Sequence, residues 1–230
     1  MIRISKRLQM ISSMVPKCDV VADIGTDHGY VPAFLLLSGQ CSNVIASDIA
    51  EGPCRAARDT SARYNLQQVM DIRMASGLTG LAKGEANAVV IAGMGGGAIV
   101  QILEEGQYIA DTVGAFVLQP MNAEGMLRQW LADHRYKISE EKLCSENGHI
   151  YVIIKINHST DCQVLSELEK EVGPCILKDR PSLWREYLTI KAHRLQMQLE
   201  QMNASATAKN SQKFKKTAIL LEQLMQILSS

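Results

Sequence analysis

Short, nearly continuous apolar runs rich in β-forming residues recur at Val20 to Ile24, Val44 to Ser47, Met70 to Met74, Ala88 to Ala92 and Ala115 to Leu118. Runs without polar alternation suit parallel strands covered by helices on both faces. Helical spacing fills the gaps, as in Pro53 to Asn65, where Pro53 suits a first helical turn. Before the first run, Ile4, Leu8, Ile11 and Val15 share one helical face and predict an opening helix packed on the first strand, with Arg7 on another face. The alternation predicts a doubly wound α/β sheet with right-handed crossovers. After a helix over Glu124 to His134 the rhythm changes. Tyr136 to Ser145 and Ile150 to Ile156 flank Glu146-Asn147-Gly148-His149 and predict a terminal antiparallel hairpin.

Beyond Asn157 the pattern is helical throughout. Leu188, Ala192, Leu195, Leu199 and Met202 follow a 4-3-4-3 spacing, and Phe214, Ala218, Leu221, Met225 and Leu228 repeat it. Two matched seams separated by the polar tract Asn203 to Gln212 predict an antiparallel helical hairpin of coiled-coil type. The expected domains are therefore 1–157, an α/β domain, and 158–230, a helical coiled-coil domain.

The candidate chemistry sits where the first strand ends. Asp23-Ile24-Gly25-Thr26-Asp27-His28-Gly29-Tyr30 follows Val20-Val21-Ala22, and small residues at Gly25, Thr26 and Gly29 let a ligand approach the strand-to-helix turn. One strand-helix-strand unit later, Asp48 closes the next apolar run, on the sheet edge where an acid reaches ribose hydroxyls. The pair suggests an adenosine-containing cofactor. Asp27-His28 stands where a dinucleotide loop needs small uncharged residues, and a carboxylate there would repel a pyrophosphate. A sulfonium cofactor has no phosphate and is positively charged, so Asp23 and Asp27 favour S-adenosylmethionine over NAD.

Composition adds boundaries. At 230 residues and 47% hydrophobic content the chain can bury a core without staples. No run approaches the roughly 20 apolar residues of a membrane span, and MIRISKRLQMISS lacks a signal-peptide core, so a cytoplasmic protein is expected. Cys18, Cys41, Cys54, Cys144, Cys162 and Cys175 form no C-x-x-C pair, and reduced thiols without a metal site are expected. Formal net charge is zero, yet Cys175 to Lys216 holds nine Lys/Arg against three acids. That segment reads either as a phosphate-backbone binder or as a solvated helical face.

These residues carry a resemblance. Ser5-Lys6-Arg7-Leu8, Asp23 through Pro32, Ala46-Ser47-Asp48-Ile49 with Gly52-Pro53, Ile91-Ala92-Gly93-Met94-Gly95-Gly96 and Leu118-Gln119-Pro120 resemble the bacterial tRNA (adenine-22-N1)-methyltransferase family, a branch of the class I S-adenosylmethionine-dependent methyltransferases. The resemblance covers nearly the whole first domain, and the C-terminal part resembles the family in kind, as a coiled-coil appendage. It implies a Rossmann-like, mostly parallel seven-stranded sheet with a terminal antiparallel hairpin, and methyl transfer from S-adenosylmethionine to adenine N1 in tRNA at position 22. One departure stands out: where the family's third strand commonly ends in Gly-Asp-Gly-Leu, this chain has Ala75-Ser76-Gly77-Leu78. Ser76 can hydrogen-bond adenine but brings no charge.

By the resemblance, the cofactor-binding residues are Asp23, Gly25, Thr26, His28, Asp48, Ile49, Ser76, Gly77, Leu78, Gly93 and Met94. Asp27, Tyr30, Gln119 and Asn122 are expected to be catalytic: Tyr30 as a stacking surface, Gln119 or Asn122 on the adenine edge, and Asp27 beside the methylated ring. Met121 intervenes where relatives often have Asn directly. Lys191, Arg194, Lys213, Lys215 and Lys216 are expected to bind RNA. Duller alternatives are that Asp27 and His28 only cap the following helix and that Tyr30 is core. At the level of function, the alternatives are a non-catalytic cofactor-binding adaptor with a partner-binding coiled coil, and a small-molecule methyltransferase. The oligomeric state is left open, a monomer being compatible.

Overall fold

The computed structural model describes residues 2–204, 209 and 211–229. It divides into two compact units, Met1–Val164 and Leu165–Ser230.

In the first unit seven strands form one sheet in the order β3-β2-β1-β4-β5-β7-β6. The strands are β1 (Val20–Ile24), β2 (Asn43–Asp48), β3 (Met70–Met74), β4 (Ala88–Met94), β5 (Ala115–Pro120), β6 (Tyr136–Glu146) and β7 (His149–His158). β1 to β5 pair in parallel, and β7 runs antiparallel between β5 and β6. The expected hairpin is made by Asn147 and Gly148, both at positive φ, which matches the twist of the flanking strands. Around the sheet lie α1 (Lys6–Met14), α2 (Tyr30–Leu37), α3 (Glu51–Arg63), α4 (Gly96–Glu105), α5 (Gln107–Ala110) and α6 (Glu124–Asp133). Pro53 falls in the first turn of α3, where a missing N–H costs nothing.

Ile11 and Met14 of α1 and Leu35 of α2 pack on Val21, Val90 and Val117 of the sheet, forming one fully apolar core. Burial of β1, β4 and β5 under helices explains their lack of alternation. This core fixes the carboxyl ends of β1 and β4 next to the first turn of α1. Ser5 caps α1, its hydroxyl accepting from Leu8 N at 3.3 Å.

The units divide after Val164, beyond the His158 that the change of rhythm suggested. Residues after β7 fold back onto the first unit: Ser159 N donates to Arg135 O at 2.8 Å, and Ile138 N donates to Gln163 Oε1 at 3.3 Å. The second unit contains α7 (Glu167–Val172), α8 (Pro174–Asp179), α9 (Trp184–Asn203) and α10 (Gln212–Ser229). Ser166 and Glu169 form a capping box on α7.

α9 and α10 pack together. Leu188, Ala192 and Leu195 are buried on α9, as the spacing predicts. On α10 the buried seam differs from the expected one. Thr217 and Leu224 are buried while Met225 is 52% exposed, so the stripe shifts by one residue at two positions, from 218 and 225 to 217 and 224. Thr217 tolerates burial because its hydroxyl donates to Lys213 O at 2.9 Å, within its own helix. The polar tract Asn203 to Gln212 lies partly outside the described residues.

Candidate active site

The chain leaves β1 at Ile24 and turns on Gly25, with φ +78°. Gly25 N and Thr26 N both donate to Ser47 O of β2, at 2.8 and 2.9 Å, which pins the turn to the neighbouring strand. A β-carbon on Gly25 would stand 2.0 Å from Met94 Cε, so the residue has to be glycine on grounds of both space and conformation. Gly29, at φ +67°, is the N-cap of α2, and no side chain caps that helix. Asp27 and His28 therefore do not serve as caps.

This turn, the start of α1 and the end of β4 enclose a cavity of ≈ 370 Å³ lined by Asp23, Gly25, Thr26, Asp27, His28 and Tyr30 together with Arg7 and Gly93. Asp23 is 7% exposed, and burial pushes its carboxyl up to about 6, helped by the nearby charge of Asp48 and countered by Thr26. Asp27 and His28 stand at the mouth, 3.3 Å apart, and His28 stacks on Tyr30 with ring centroids 5.2 Å apart. Tyr30 is 40% exposed and is not part of the core.

Asp48 ends β2 and Ile49 follows it, both outside this cavity. Asp48 Oδ1 accepts from Ala50 N at 2.8 Å, and Ile49 is exposed. Ser76 and Gly77 follow β3, with Ser76 exposed and its carbonyl accepting from Thr79 N. The carboxyl ends of β1, β2, β3 and β4 thus present the expected cofactor residues along one edge of the sheet. Leu78 is the exception: it is 1% exposed and sits beneath Gly106, so its side chain belongs to the core.

Gln119 also differs from expectation. It is fully buried; its Oε1 accepts from Arg7 Nη1 at 2.6 Å and its Nε2 donates to Pro120 O at 2.8 Å. Its amide is engaged within the protein, and the group facing the cavity is Arg7. Asn122 is exposed beside Gly95, where a β-carbon would stand 3.2 Å from Asn122 Oδ1, and Asn122 O accepts from Gly96 N at 3.1 Å. These contacts tie the β5 loop to the start of α4. Met121, inserted before Asn122, is 48% exposed.

Arg7 received no role from the sequence: helical spacing puts it on another face of α1, and the resemblance carries it only as part of Ser5-Lys6-Arg7-Leu8. Its backbone N donates to Glu146 Oε1 at 3.0 Å, its Nε lies 3.7 Å from Glu146 Oε2, and its guanidinium sits 5.3 Å from the centre of the Tyr151 ring. The Arg7 contacts hold the Glu146 carboxyl below its usual range. The sequence separations of 112 and 139 residues leave no local signal.

A larger cavity of ≈ 570 Å³ runs along edge strand β3, away from the glycine turns. Of its two arginines, Arg58 pairs with Glu51 at 2.7 Å, and Arg73 is bound to Glu85 at 2.9 and 2.6 Å and holds that carboxyl at about 2, which makes the second pair a structural clasp.

The methyltransferase domain model matches residues 4–154. A Bacillus subtilis tRNA (adenine(22)-N(1))-methyltransferase is 31% identical over 99% of this chain and 98% of its own length. The chain belongs to the tRNA (adenine(22)-N(1))-methyltransferase family. Its fold agrees with solved structures of that kind. The B. subtilis m1A22 tRNA methyltransferase superposes with a TM-score of 0.88 at 31% identity, covering 99% of this chain and 100% of the other. A Streptococcus pneumoniae protein, provisionally assigned as a tRNA (m1A22) methyltransferase and solved in complex with S-adenosyl-L-methionine, superposes with a TM-score of 0.86 at 30% identity, covering 98% and 100%. The likeness to this family spans both units, including the helical one that the sequence resembled only in kind.

Among the basic residues expected to meet RNA, Arg194, Lys213, Lys215 and Lys216 are exposed. Lys191 is not: it is 5% exposed and its Nζ lies 2.8 Å from Glu171 Oε1. Its charge is paired inside the helical unit, where the ammonium also lies 5.5 Å from the centre of the Tyr187 ring. Among the described residues no cluster of three or more His, Cys, Asp or Glu could hold a metal, and no helix is long and apolar enough to cross a membrane.

Proposed function

We propose that this protein transfers the methyl group of S-adenosylmethionine to N1 of an adenine in tRNA, at position 22. The observation that carries the reading is the cavity joining the Asp23–Tyr30 turn to Gly93, in a chain that matches a tRNA (adenine(22)-N(1))-methyltransferase along its whole length.

The residues fit the cofactor. Gly25 lines the cavity with backbone alone, at a positive φ that a side chain would strain. Asp48 keeps Oδ2 available for ribose hydroxyls while Oδ1 is held by Ala50 N. Asp23 and Asp27 supply negative charge near a cation. When bound, S-adenosylmethionine would supply an electrophilic methyl group open to in-line attack by a lone pair, with the thioether S-adenosylhomocysteine as leaving group.

The protein's task is placement. Adenine N1 already has a lone pair, so no base is needed to create the nucleophile, but N1 lies on the pairing edge and has to be brought out of the RNA fold. Tyr30 offers an exposed ring at the cavity mouth on which an extruded base can stack. Asp27 stands beside it and stabilises the positive charge that the ring acquires. Asn122 offers an amide to the adenine edge, and Gln119 positions Arg7. Arg194, Lys213, Lys215 and Lys216 hold RNA phosphates.

Incubation with labelled S-adenosylmethionine and an unmodified tRNA transcript tests the reading, with Asp48→Ala as a control. N1-methyladenosine forms with the wild-type protein, and Asp48→Ala weakens cofactor binding about tenfold or more. Cofactor binding without methylation of any tRNA would support the adaptor reading instead.

A further inference from the structure

The ribbon formed by β6 and β7 outruns the rest of the sheet. Its last pair with β5 is Leu118 opposite Ile154, whereas β6 and β7 stay paired as far as Glu146 opposite His149. Carried on in that register, Pro120 at the end of β5 comes level with Val152, so Tyr151, Ile150 and His149 stand past the carboxyl end of β5. Three residues at about 3.4 Å each make a projection of about 10 Å. It rises beside the cavity of the Asp23–Tyr30 turn, because Arg7 lines that cavity and its guanidinium lies 5.3 Å from the centre of the Tyr151 ring.

One face of β7 passes from core to solvent in three alternate residues. Ile153 is fully buried in the core that holds Ile11 and Met14 of α1. Tyr151 is half-buried beside Arg7 in the first turn of that helix, and His149, where the helix no longer covers the ribbon, is exposed. The His149 and Tyr151 rings stay in contact, 6.3 Å between centroids and edge to face, and form an aromatic surface whose outer part is uncovered. The acid at the tip, Glu146, is engaged by Arg7. Lys6 is exposed, its charge reaches Cys144 of β6, and among the described residues it has no acidic partner. An aromatic surface with an unpaired cation beside it matches single-stranded RNA, whose bases stack and whose phosphates carry the opposite charge.

We propose that the projecting face of β7, His149 with Tyr151, stacks the nucleotide next to the target adenine, and that Lys6 holds its phosphate. This rests on the tRNA-methylating reading above. Turning an adenine out to expose N1 breaks its stacking with both neighbours, and a neighbour left bare needs another surface. Tyr30 takes the adenine at the cavity mouth, and the ribbon offers a second aromatic surface adjoining Arg7 of the same cavity. The tight turn at Asn147 and Gly148 and the contact of Arg7 with Glu146 hold the ribbon in place, so little freedom is lost when RNA covers it.

Steady-state methylation of a tRNA transcript by wild type, His149→Ala and His149→Phe, repeated on transcripts abasic at position 21 or 23, tests the proposal. His149→Ala raises the KM for tRNA at least about fivefold, as loss of one stacked base requires, with kcat and the affinity for S-adenosylmethionine unchanged. His149→Phe, which keeps a ring, restores KM to within about twofold of wild type. One of the two abasic transcripts raises the wild-type KM by a similar factor and adds nothing to the loss already present in His149→Ala. Lys6→Gln lowers the slope of log affinity for tRNA against log salt by about one. A KM for His149→Ala within about twofold of wild type, or abasic penalties as large in that variant as in wild type at both positions, would overturn the proposal. Weaker cofactor binding by His149→Ala would also overturn it, by showing that the ribbon acts through Arg7. A wild type that methylates no tRNA refutes the function reading itself, a result distinct from an unchanged KM.

Discussion

Gly25 and Met94 share one space: a β-carbon on the first would lie 2.0 Å from the terminal methyl of the second. Two strands that are neighbours in the sheet, β1 and β4, thereby meet through a missing side chain and a flexible one. The thioether can move, but the positive φ of Gly25 cannot be relieved in the same way. Gly25→Ala is expected to lower stability by about 1–3 kcal/mol and to abolish measurable cofactor binding. Adding Met94→Ala removes the clash and restores only part of the stability. Thermal denaturation of both variants, with and without S-adenosylmethionine, checks this; full recovery in the double variant would show that space alone matters.

Asp23 couples the site to pH. Its carboxyl lies at about 6 in the folded protein against 3.8 for the unperturbed group, because burial disfavours the ionised form and Asp48 adds to the effect. The folded state therefore holds a proton between pH 4 and 6 that the unfolded chain has lost, so stability falls as pH rises through that window. The full shift corresponds to roughly 3 kcal/mol as an upper bound. Asp23→Asn is expected to stabilise the ligand-free protein above pH 6 and to have little effect below pH 4. The same substitution weakens binding of the cationic cofactor. Denaturant melts at pH 4, 6 and 8, with calorimetric titration at pH 8, would expose a wrong sign in either effect.

The basic residues of the helical unit separate into two roles. Charge reversal of Lys213, Lys215 and Lys216 is expected to lower tRNA affinity and flatten its salt dependence, with melting temperature little changed. Lys191→Met should act on stability, because it breaks an ion pair between Glu171 and a buried ammonium. Filter binding at several salt concentrations distinguishes the two. A loss of tRNA affinity from Lys191→Met without loss of stability would return that residue to the RNA surface.

Much of the fold was legible because parallel strands buried on both faces leave uninterrupted apolar runs, and because Asn147-Gly148 encodes its own turn. The glycine turn after β1 and the acid ending β2 were legible for the same reason: topology places them on one edge whatever surrounds them. Side-chain destinations were not. Gln119 looks like a base contact until Arg7, 112 residues earlier, is found on its amide oxygen. Leu78 sits inside a segment expected to bind the cofactor, yet packs beneath Gly106. On α10, Leu224 and Met225 are both apolar neighbours, and only the packed helix pair selects between them. In each case the deciding contact is distant in sequence, so composition and spacing carry no trace of it.

The central claim concerns which atom of which nucleotide is methylated. Primer extension on an unmodified tRNA transcript carrying adenine at position 22, after incubation with the protein and S-adenosylmethionine, tests it most directly, because a methyl group on N1 blocks the pairing edge. The account predicts a cofactor-dependent stop at position 22 that disappears when that adenine is replaced by guanine. Methylation at another position, or an adenine 22 still unmodified while the folded protein binds cofactor, would contradict it.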